Sequence, residues 1–569
     1  MHLSLFDTMT PPSGSVINNS DLIQYSFDSM ISGVWRVSSW LLAGLLLLPL
    51  ATVFYQAFFA DGMGFAQLWH IGLPTYLIHS AVIVLGTLFF SLLFGLPSAW
   101  FIAMYRFPGH RALQWALCLP LAMPAFLLAY LYTDVLRHFS LLLQEGGLSI
   151  VSSWVTSHVA GLPVSLGCVS LILALVLYPY IYLLVREALV KQPASLIHSA
   201  RLLNQSRSQV LRRLCLPLAL PAIACGGALV VVETLGDYGA ASYLGIPTMT
   251  TQVLDIWQKQ GDLGAAARLG VLILPAIFLL MFLVNVWRRK QRIYQAHAMT
   301  SPVVPPELNG WRSKVVRGYC WGIVCLSFLF PVLYLLFLAL QHIMSVWDMA
   351  FLQAVMNSLL ASATATIIIT LIALSFIFYT RTAGIFANQT PVRLVSLSFA
   401  LPGAVLAVGL FTLLSLVDSG INLFANAAGL PPAEVLLAGS LFILILAYSV
   451  KFGRLMLDSL ERSMEAIPRS LDSASLVLGA SPLSRWSRVH IPLLRRSLFI
   501  GVLLIFTESM KELNVSLLLR PFGIDTLATY VFRFAADEQI ASFAFPALVL
   551  VAVGLIPVFW LNRALNIKG

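Results

Sequence analysis

Charged side chains are scarce in this sequence: they make up only 10% of its 569 residues, against about 25% in an average soluble domain. So little charge cannot cover one or more globular cores with a hydrated surface, which excludes an ordinary soluble protein. Hydrophobic residues make up 59% of the chain, and the mean hydropathy is +0.88. Because one membrane-spanning helix needs about 20 apolar residues, the composition predicts an all-α polytopic membrane protein with about twelve transmembrane helices.

The motifs of enzymes and cofactor sites are missing as well. No Lys follows a Gly, so the phosphate-binding pattern GxxxxGK[ST] is absent, and so are HExxH and GxSxG. We therefore predict that the chain is not an enzyme, has no catalytic residues and does not itself hydrolyse ATP. The six cysteines lie in or beside apolar stretches without CxxC spacing, which indicates buried core residues and predicts no metal or cofactor site.

Basic residues lie between the apolar segments and predict the orientation of the chain. Most of the 34 Lys and Arg residues, Lys451 and Arg454 among them, fall on one side of the membrane when both termini are placed in the cytoplasm. This dispersed pattern is typical of membrane topology and argues against nucleic-acid binding. The predicted spans cover residues 37–58, 77–104, 112–136, 164–185, 215–236, 267–287, 318–340, 355–379, 393–417, 434–450, 493–513 and 541–562.

The chain repeats itself at a spacing of 275 to 278 residues. The matched residues are His79-Ser80 with Asn357-Ser358, Met123-Pro124 with Leu401-Pro402, Pro193 with Pro468, Pro217 with Pro492, and Glu233 with Glu508. A unit of six spans returns to the side on which it began, so two copies are parallel and related by an axis along the membrane normal. We predict two parallel six-helix repeats with a pore between them.

This repeat divides the chain into four predicted parts. They are an N-terminal cytoplasmic segment (1–36), a first half (37–287), a cytoplasmic linker (288–316) and a second half (317–569). The linker is basic at its start and then rich in proline, as a joint between fused units should be.

A short amphipathic helix is predicted in the same cytoplasmic loop of each half, over residues 192–206 and 467–481. Each begins at a proline in its first turn and repeats apolar residues at helical spacing. The residues concerned are Pro193, Leu196, Ala200 and Leu203 in the first copy, and Pro468, Leu471, Ala474, Leu478 and the capping Gly479 in the second. Such helices can lie on anionic membrane lipid or fit into the grooves of a two-fold partner.

These two loops resemble the EAA loop of ABC importer permeases. That pattern is E-A-A, three residues, Gly, nine residues, then an aliphatic residue, any residue, an aliphatic residue and Pro. The matching positions are His198, Ser199, Ala200, Asn204, Leu214, Leu216 and Pro217 in the first half, and Ser473, Ala474, Ser475, Gly479, Val489, Ile491 and Pro492 in the second. The leading Glu is absent from both copies, and the Gly from the first.

Residues 233–258 and 511–529, above all the run KELNVSLLLRPFGIDTLAT, resemble the fused twelve-span permeases of ferric-iron ABC importers. The resemblance implies a type I ABC importer permease in the bacterial inner membrane. It further implies two ATP-binding-cassette ATPase subunits that use ATP, and one periplasmic binding protein that delivers the substrate. Related permeases carry thiamine, polyamines, sulfate or phosphonates, and an ion-coupled secondary transporter is the alternative from another class.

Ionisable residues near the outer ends of the fifth and eleventh spans are the candidates for the translocation path. Charges inside spans are costly and indicate function by default. The candidates are Glu233, Asp237 and Tyr238 in the first half, and Glu508, Lys511 and Glu512 in the second. Carboxylate and phenolate oxygens suit a hard cation such as Fe³⁺. The alternative is structural: Glu508 pairs with Lys511, and Glu233 bonds to a neighbouring helix.

Overall fold

The computed structural model describes residues 19–145, 162–190, 192, 200, 202–295, 306–342, 348–382, 390–398, 401–431, 435–537 and 539–566. These residues are helical throughout, apart from turns and one isolated parallel bridge between Arg106 and Glu307. The predicted all-α fold is therefore confirmed.

Helices of the first half and its preceding segment follow the order expected for six spans with short connections. They are α1 (Asn19–Phe59), α2 (Phe65–Ile71), α3 (Leu73–Met104), α4 (His110–Ala116), α5 (Ala125–Glu145), α6 (Leu162–Val190), α7 (Arg207–Val210), α8 (Leu216–Gly236), α9 (Gly239–Tyr243), α10 (Met249–Gln260) and α11 (Leu263–Gln295).

The second half repeats this order. Its helices are α12 (Trp311–Val324), α13 (Phe330–Gln341), α14 (Met349–Thr382), α15 (Thr390–Ser398), α16 (Gly403–Ala427), α17 (Leu441–Glu465), α18 (Ser470–Val477), α19 (Pro482–Arg485), α20 (Ile491–Met510), α21 (Asn514–Leu519), α22 (Leu527–Ala536) and α23 (Ile540–Asn566).

Ten helical segments among the described residues are long and apolar enough to cross a membrane, or eleven when one bent pair is counted as a span. The tenth predicted span, 434–450, is not among them; its residues from Leu441 onward form the start of α17. Its apolar stretch is short, because Lys451, Arg454 and Asp458 follow within the same helix. The helix itself continues to Glu465.

The third span of each half is interrupted, contrary to the prediction of continuous helices over 112–136 and 393–417. In the first half, the helical segment 110–122 meets 125–140 at an angle of 93°. In the second half, α15 ends at Ser398 and α16 begins after Pro402, which is its N-cap residue. Pro124 and Pro402 thus lie at breaks and not inside spans, because a proline lacks the N–H group that would continue the helical bonding.

The same contacts recur in both halves at the repeat spacing. The Ser80 hydroxyl accepts a hydrogen bond from the Met249 N–H (2.9 Å), and the Ser358 hydroxyl accepts one from the Leu527 N–H (2.6 Å). Thr248 and Thr526 each cap the following helix with their hydroxyl. The sequence repeat is therefore also a repeat of hydrogen bonds.

The first span of each half packs against the third span of the other half. Thr52 in α1 donates to the Gly409 carbonyl oxygen in α16 (2.7 Å), and Tyr334 in α13 donates to the Asp134 carboxylate in α5 (2.6 Å). Because these contacts cross between the halves, the two units are interlocked around the interface on which the candidate site lies.

Candidate functional site

The two helices that the sequence predicts to be cytoplasmic end with the same backbone geometry. Asn204 has a φ of 56° and Gly479 a φ of 72°, both left-handed. The N–H of Gln205 donates to the Ala200 carbonyl oxygen (3.2 Å), and the N–H of Ala480 donates to the Ser475 carbonyl oxygen (3.0 Å). This bonding pattern is typical of a helix that ends in a left-handed residue.

Large apolar side chains project from both helix ends. Leu202 and Leu203 are 87% and 76% exposed, and Val477 and Leu478 are 88% and 85% exposed. Of the predicted residues, Leu471 and Ala474 are also exposed on α18, whereas Pro193 and Leu196 lie outside the described residues. Leu202 and Val477 were not predicted, although they lie next to predicted residues in the sequence. Paired exposed apolar patches of this kind indicate a protein or membrane contact.

Each of these helices leads through a π-helical turn into the fifth span of its half. The turns cover Leu211–Cys215 and Trp486–His490. Pro217 and Pro492 follow at the second residue of α8 and α20, where the missing N–H costs little. π turns occur often at functional sites, and this repeated joint connects the exposed helix end of each half to its fifth span.

Glu233 lies near the C-terminal end of α8, an unbroken helix that begins at Leu216. Its side chain is exposed, and within the described part of the chain it makes no hydrogen bond or ion pair. It lies within electrostatic reach of Lys451, Glu508 and Glu512. The structural alternative, a bond from Glu233 to a neighbouring helix, is therefore not observed here.

Glu508, the counterpart of Glu233, is paired. The Lys511 ammonium donates to its Oε1 atom at 2.9 Å and also to the Leu121 carbonyl oxygen at 2.9 Å. Leu121 lies at the break in the third span of the first half. Lys511 therefore joins a carboxylate of the second half to the backbone of the first.

Asp237 and Glu512 also match at the repeat spacing, and each holds the start of the next short helix. Asp237 Oδ2 accepts from the Ala240 N–H (3.1 Å), and Glu512 Oε1 accepts from the Val515 N–H (3.0 Å). Such caps satisfy backbone donors that have no partner within the helix. Both carboxylates thus have a structural contact at the end of a fifth-span helix.

Lys451 is a functional candidate that the sequence interpretation missed, because it was assigned to a cytoplasmic loop. The structure instead places it in α17, with its Nζ atom 2.5 Å from Glu512 Oε2 and only 20% of the side chain exposed. The missed signal was a lysine directly following an apolar run, with further apolar residues beyond it.

Two contacts join the halves close to these charged residues. Asn514 of α21 donates to the Gly236 carbonyl oxygen (2.7 Å), and the Tyr238 ring lies 6.0 Å from the Phe532 ring. The cluster contains the carboxylates of Glu233, Asp237, Glu508 and Glu512 and the ammonium groups of Lys451 and Lys511.

This charge distribution is unequal between the halves. Both lysines belong to the second half. At the repeat spacing of 275, Val176 of the first half corresponds to Lys451 and Gly236 to Lys511. Across the described residues, no three His, Cys, Asp or Glu side chains come together closely enough to hold a metal ion. The arrangement is therefore a partly neutralised acidic cluster at the contact between the halves, and not a formed metal site.

Comparison with known proteins is consistent with this architecture. The profile described as binding-protein-dependent transport system inner membrane component matches residues 91–293. The Fe(3+)-transport system permease protein FbpB 2 of Haemophilus influenzae is 25% identical over 469 residues, covering 82% of this chain and 85% of that protein.

Shorter relatives align with part of the chain. The sulfate transport system permease protein CysT of Salmonella typhimurium is 26% identical over 254 residues, covering 42% of this chain and 86% of that protein. The molybdenum transport system permease protein ModB of Escherichia coli is 30% identical over 208 residues, covering 35% of this chain and 85% of that protein. The chain is thus a multi-pass membrane protein that belongs to the family of binding-protein-dependent transport system inner membrane components.

Proposed function

We propose that the chain is the fused permease of an ATP-driven importer, and that its substrate is ferric iron. Two ATPase subunits would bind the cytoplasmic helices, and one periplasmic binding protein would deliver the substrate. The observation that supports this coupling is the pair of helix ends with nearly fully exposed apolar side chains at equivalent positions. Two equal contacts on a duplicated permease suit two equal motor subunits, each taking a helix into a groove.

The proposed orientation has both termini in the cytoplasm. It rests on the excess of Lys and Arg in the loops of that side. In this orientation α8 and α20 rise from the cytoplasmic helix ends toward the outer surface. Glu233 and Glu508 would then lie about 24 Å above Pro217 and Pro492, from the rise of 1.5 Å per residue in a helix.

The charge of the path cluster favours a cation over an oxyanion. Four carboxylates face two ammonium groups, so the cluster repels sulfate and molybdate and attracts a metal ion. Carboxylate oxygens are hard ligands and suit a hard cation such as Fe³⁺. Iron therefore remains our proposal over phosphonates and over the anions carried by the shorter relatives. Thiamine and polyamines are cations too, and the similarity to an Fe(3+)-transport permease over 82% of this chain favours iron over them.

An ion-coupled secondary transporter is the second candidate, because broken spans and buried charges also occur in that class. The two third-span breaks and the Lys451–Glu512 pair are the observations that favour it. The two candidates differ in their energy source. Only an ABC importer needs ATP when the membrane potential is kept.

Uptake measurements test both the substrate and the energy source. Cells with and without the chain would be given labelled ferric iron, sulfate or molybdate, before and after ATP depletion that spares the membrane potential. We expect chain-dependent and ATP-dependent uptake of iron alone. Uptake of an anion instead would reject the substrate proposal, and uptake without ATP would reject the ABC mechanism.

The ATPase contact has its own test. Leu203→Asp and Leu478→Asp place a charge in each exposed apolar patch, so we expect the purified permease to lose its co-purifying ATPase subunits. Leu203→Met and Leu478→Met keep the patch apolar and should retain them. Full retention of the ATPase by the Asp variants would show that these helix ends are not its binding surface.

A further inference from the structure

Asp472, in the first turn of α18, is bound by side chains from two membrane-spanning segments of the second half. Its Oδ2 atom accepts from Arg381 Nε (2.8 Å) and lies 2.7 Å from Arg381 Nη2. Its Oδ1 atom lies 2.9 Å from His490 Nε2. Arg381 ends the second span, α14, and His490 is the last residue of the π turn before α20. One carboxylate thus joins the cytoplasmic helix to the second and fifth spans.

Arg381 extends this network to a further element. Its Nη1 and Nη2 atoms donate to the carbonyl oxygens of Met464 (3.3 Å) and Ile467 (3.0 Å), at the end of α17. The Arg381 side chain is only 11% exposed, and the His490 side chain only 3%. Charge-assisted bonds in such a sheltered position are short and strong, and salt screens them less than surface pairs. The four elements are therefore held as one unit.

The first half has no carboxylate at the position equivalent to Asp472. Around the second span the matched residues are 278 apart, so Ala103 corresponds to Arg381. From Pro193 onward they are 275 apart, so Ile197 corresponds to Asp472 and Cys215 to His490. Ile197 lies outside the described residues, and an isoleucine has no group that binds a guanidinium. The nearest arginine in the sequence, Arg106, is exposed, and its backbone pairs with the linker at Pro306 and Leu308. The first cytoplasmic helix therefore has no carboxylate that ties it to both spans.

Both halves nevertheless have a π turn before the fifth span, and they differ in the side chains that contact this turn. A π turn has fewer good backbone bonds than an α-helix and is a local weak point. In the second half, the Asp472–His490 contact bridges this turn from outside. In the first half, the end of the turn is held by a neutral contact, from the Gln192 amide to the Cys215 carbonyl oxygen (3.0 Å).

We propose that Asp472 is a positioning residue, through which the second cytoplasmic helix moves the second and fifth spans of its half as one body. The first half transmits the same movement through a looser joint, so the two halves respond unequally to the two ATPase subunits. This inference rests on the proposed coupling of ATPase subunits to these helices. It is independent of which substrate is carried.

The test uses the complete importer, with its ATPase and binding protein, reconstituted in lipid vesicles. Asp472→Asn keeps the size of the side chain but removes the charge. We expect ATP hydrolysis to continue, while substrate transported per ATP falls at least ten-fold. Arg381→Gln should have the same effect, and Arg106→Gln, which changes an exposed arginine just beyond α3 in the first half, should leave the ratio within two-fold of the unmodified importer. An unchanged ratio in Asp472→Asn would overturn the proposal.

Backbone hydrogen exchange provides a second measurement that needs no transport. In Asp472→Asn, exchange at residues 486–490 should accelerate, while exchange at 211–215 stays unchanged. If the variant does not assemble, hydrogen exchange is measured on the unmodified complex with and without ATP. We expect ATP binding to alter exchange at 211–215 more than at 486–490. Equal changes in the two π turns would contradict the unequal linkage. Failure of the ATPase to bind the unmodified permease would instead reject the proposed function.

Discussion

Asn204 and Gly479 end the two cytoplasmic helices in the same left-handed conformation, although one of them has a side chain. Asn is among the few residues that tolerate this region, because its short amide can bond locally. The replacement of Gly by Asn204 in the first EAA-like loop therefore does not change the backbone conformation. Asn204 ends the first helix as Gly479 ends the second, and two exposed apolar residues come just before each of them.

The first prediction concerns this helix end. In Gly479→Ala, the added Cβ meets no atom within 4 Å, so its effect comes from backbone strain, about 1–2 kcal/mol for a left-handed residue. The free helix end should unwind and then refold on binding, weakening the affinity for the ATPase subunit by about ten-fold. Titration of purified permease with ATPase measures this.

A matched variant separates strain from side-chain effects. Gly479→Asn reproduces the residue of the first half and should bind the ATPase within about two-fold of the unmodified chain, since Asn adopts positive φ at a low cost. If the Ala and Asn variants bind equally well, the left-handed end has no role in the contact.

The second prediction concerns the ion pair of Lys451 and Glu512, whose side chains are 20% and 8% exposed. Lys451→Met leaves a buried carboxylate without its cation, which costs about 3–5 kcal/mol of stability. The double variant Lys451→Met with Glu512→Gln should recover most of this loss, because Gln removes the charge and still accepts from the Val515 N–H. Thermal unfolding of the purified permease gives these differences.

An exposed pair in the same chain is the control. Lys259 and Asp255 lie 2.9 Å apart, with 73% and 32% of their side chains exposed. Pairs of this kind contribute between zero and about 1 kcal/mol, so Lys259→Met should change stability little. Equal losses in Lys451→Met and Lys259→Met would mean that burial does not strengthen the first pair.

Much of the fold follows from short-range features of the sequence. Apolar runs indicate the spans, and the matched Glu233 and Glu508 indicate two equivalent fifth-span helices. The breaks at Pro124 and Pro402 do not follow in the same way, because neighbouring helices often allow a proline to remain inside a span. Whether the helix continues is decided by the packing around it.

The candidate site was harder to predict, because its contacts join distant parts of the chain. Lys451 directly follows an apolar run. When spans are predicted from hydropathy averaged along the chain, a charged residue in this position is assigned to the following loop. Its partner Glu512 lies 61 residues away, and Lys511 bonds to a carbonyl oxygen 390 residues away. The pairing of Lys511 with Glu508, in contrast, follows from their spacing of three residues on one helix.

The third prediction compares the two matched glutamates. Glu233→Gln removes a negative charge that has no partner among the described residues, so assembly and thermal stability should stay unchanged. Glu508→Gln removes the counter-charge of Lys511 and should lower stability by up to about 1 kcal/mol, as expected for a partly exposed pair. The unfolding temperatures of the two purified variants test this difference.

Transport should respond to both substitutions, because each makes the cluster less attractive to a cation. A charge 4 Å away contributes about 1 kcal/mol in water and about 4 kcal/mol at the effective dielectric constant of a protein surface. We therefore expect ferric-iron uptake to fall about ten-fold or more in Glu233→Gln, and to be largely retained in Glu233→Asp, which keeps the charge. Unchanged uptake in Glu233→Gln, with normal assembly, would remove this residue from the path, since a free carboxylate that a cation passes cannot be neutralised without effect.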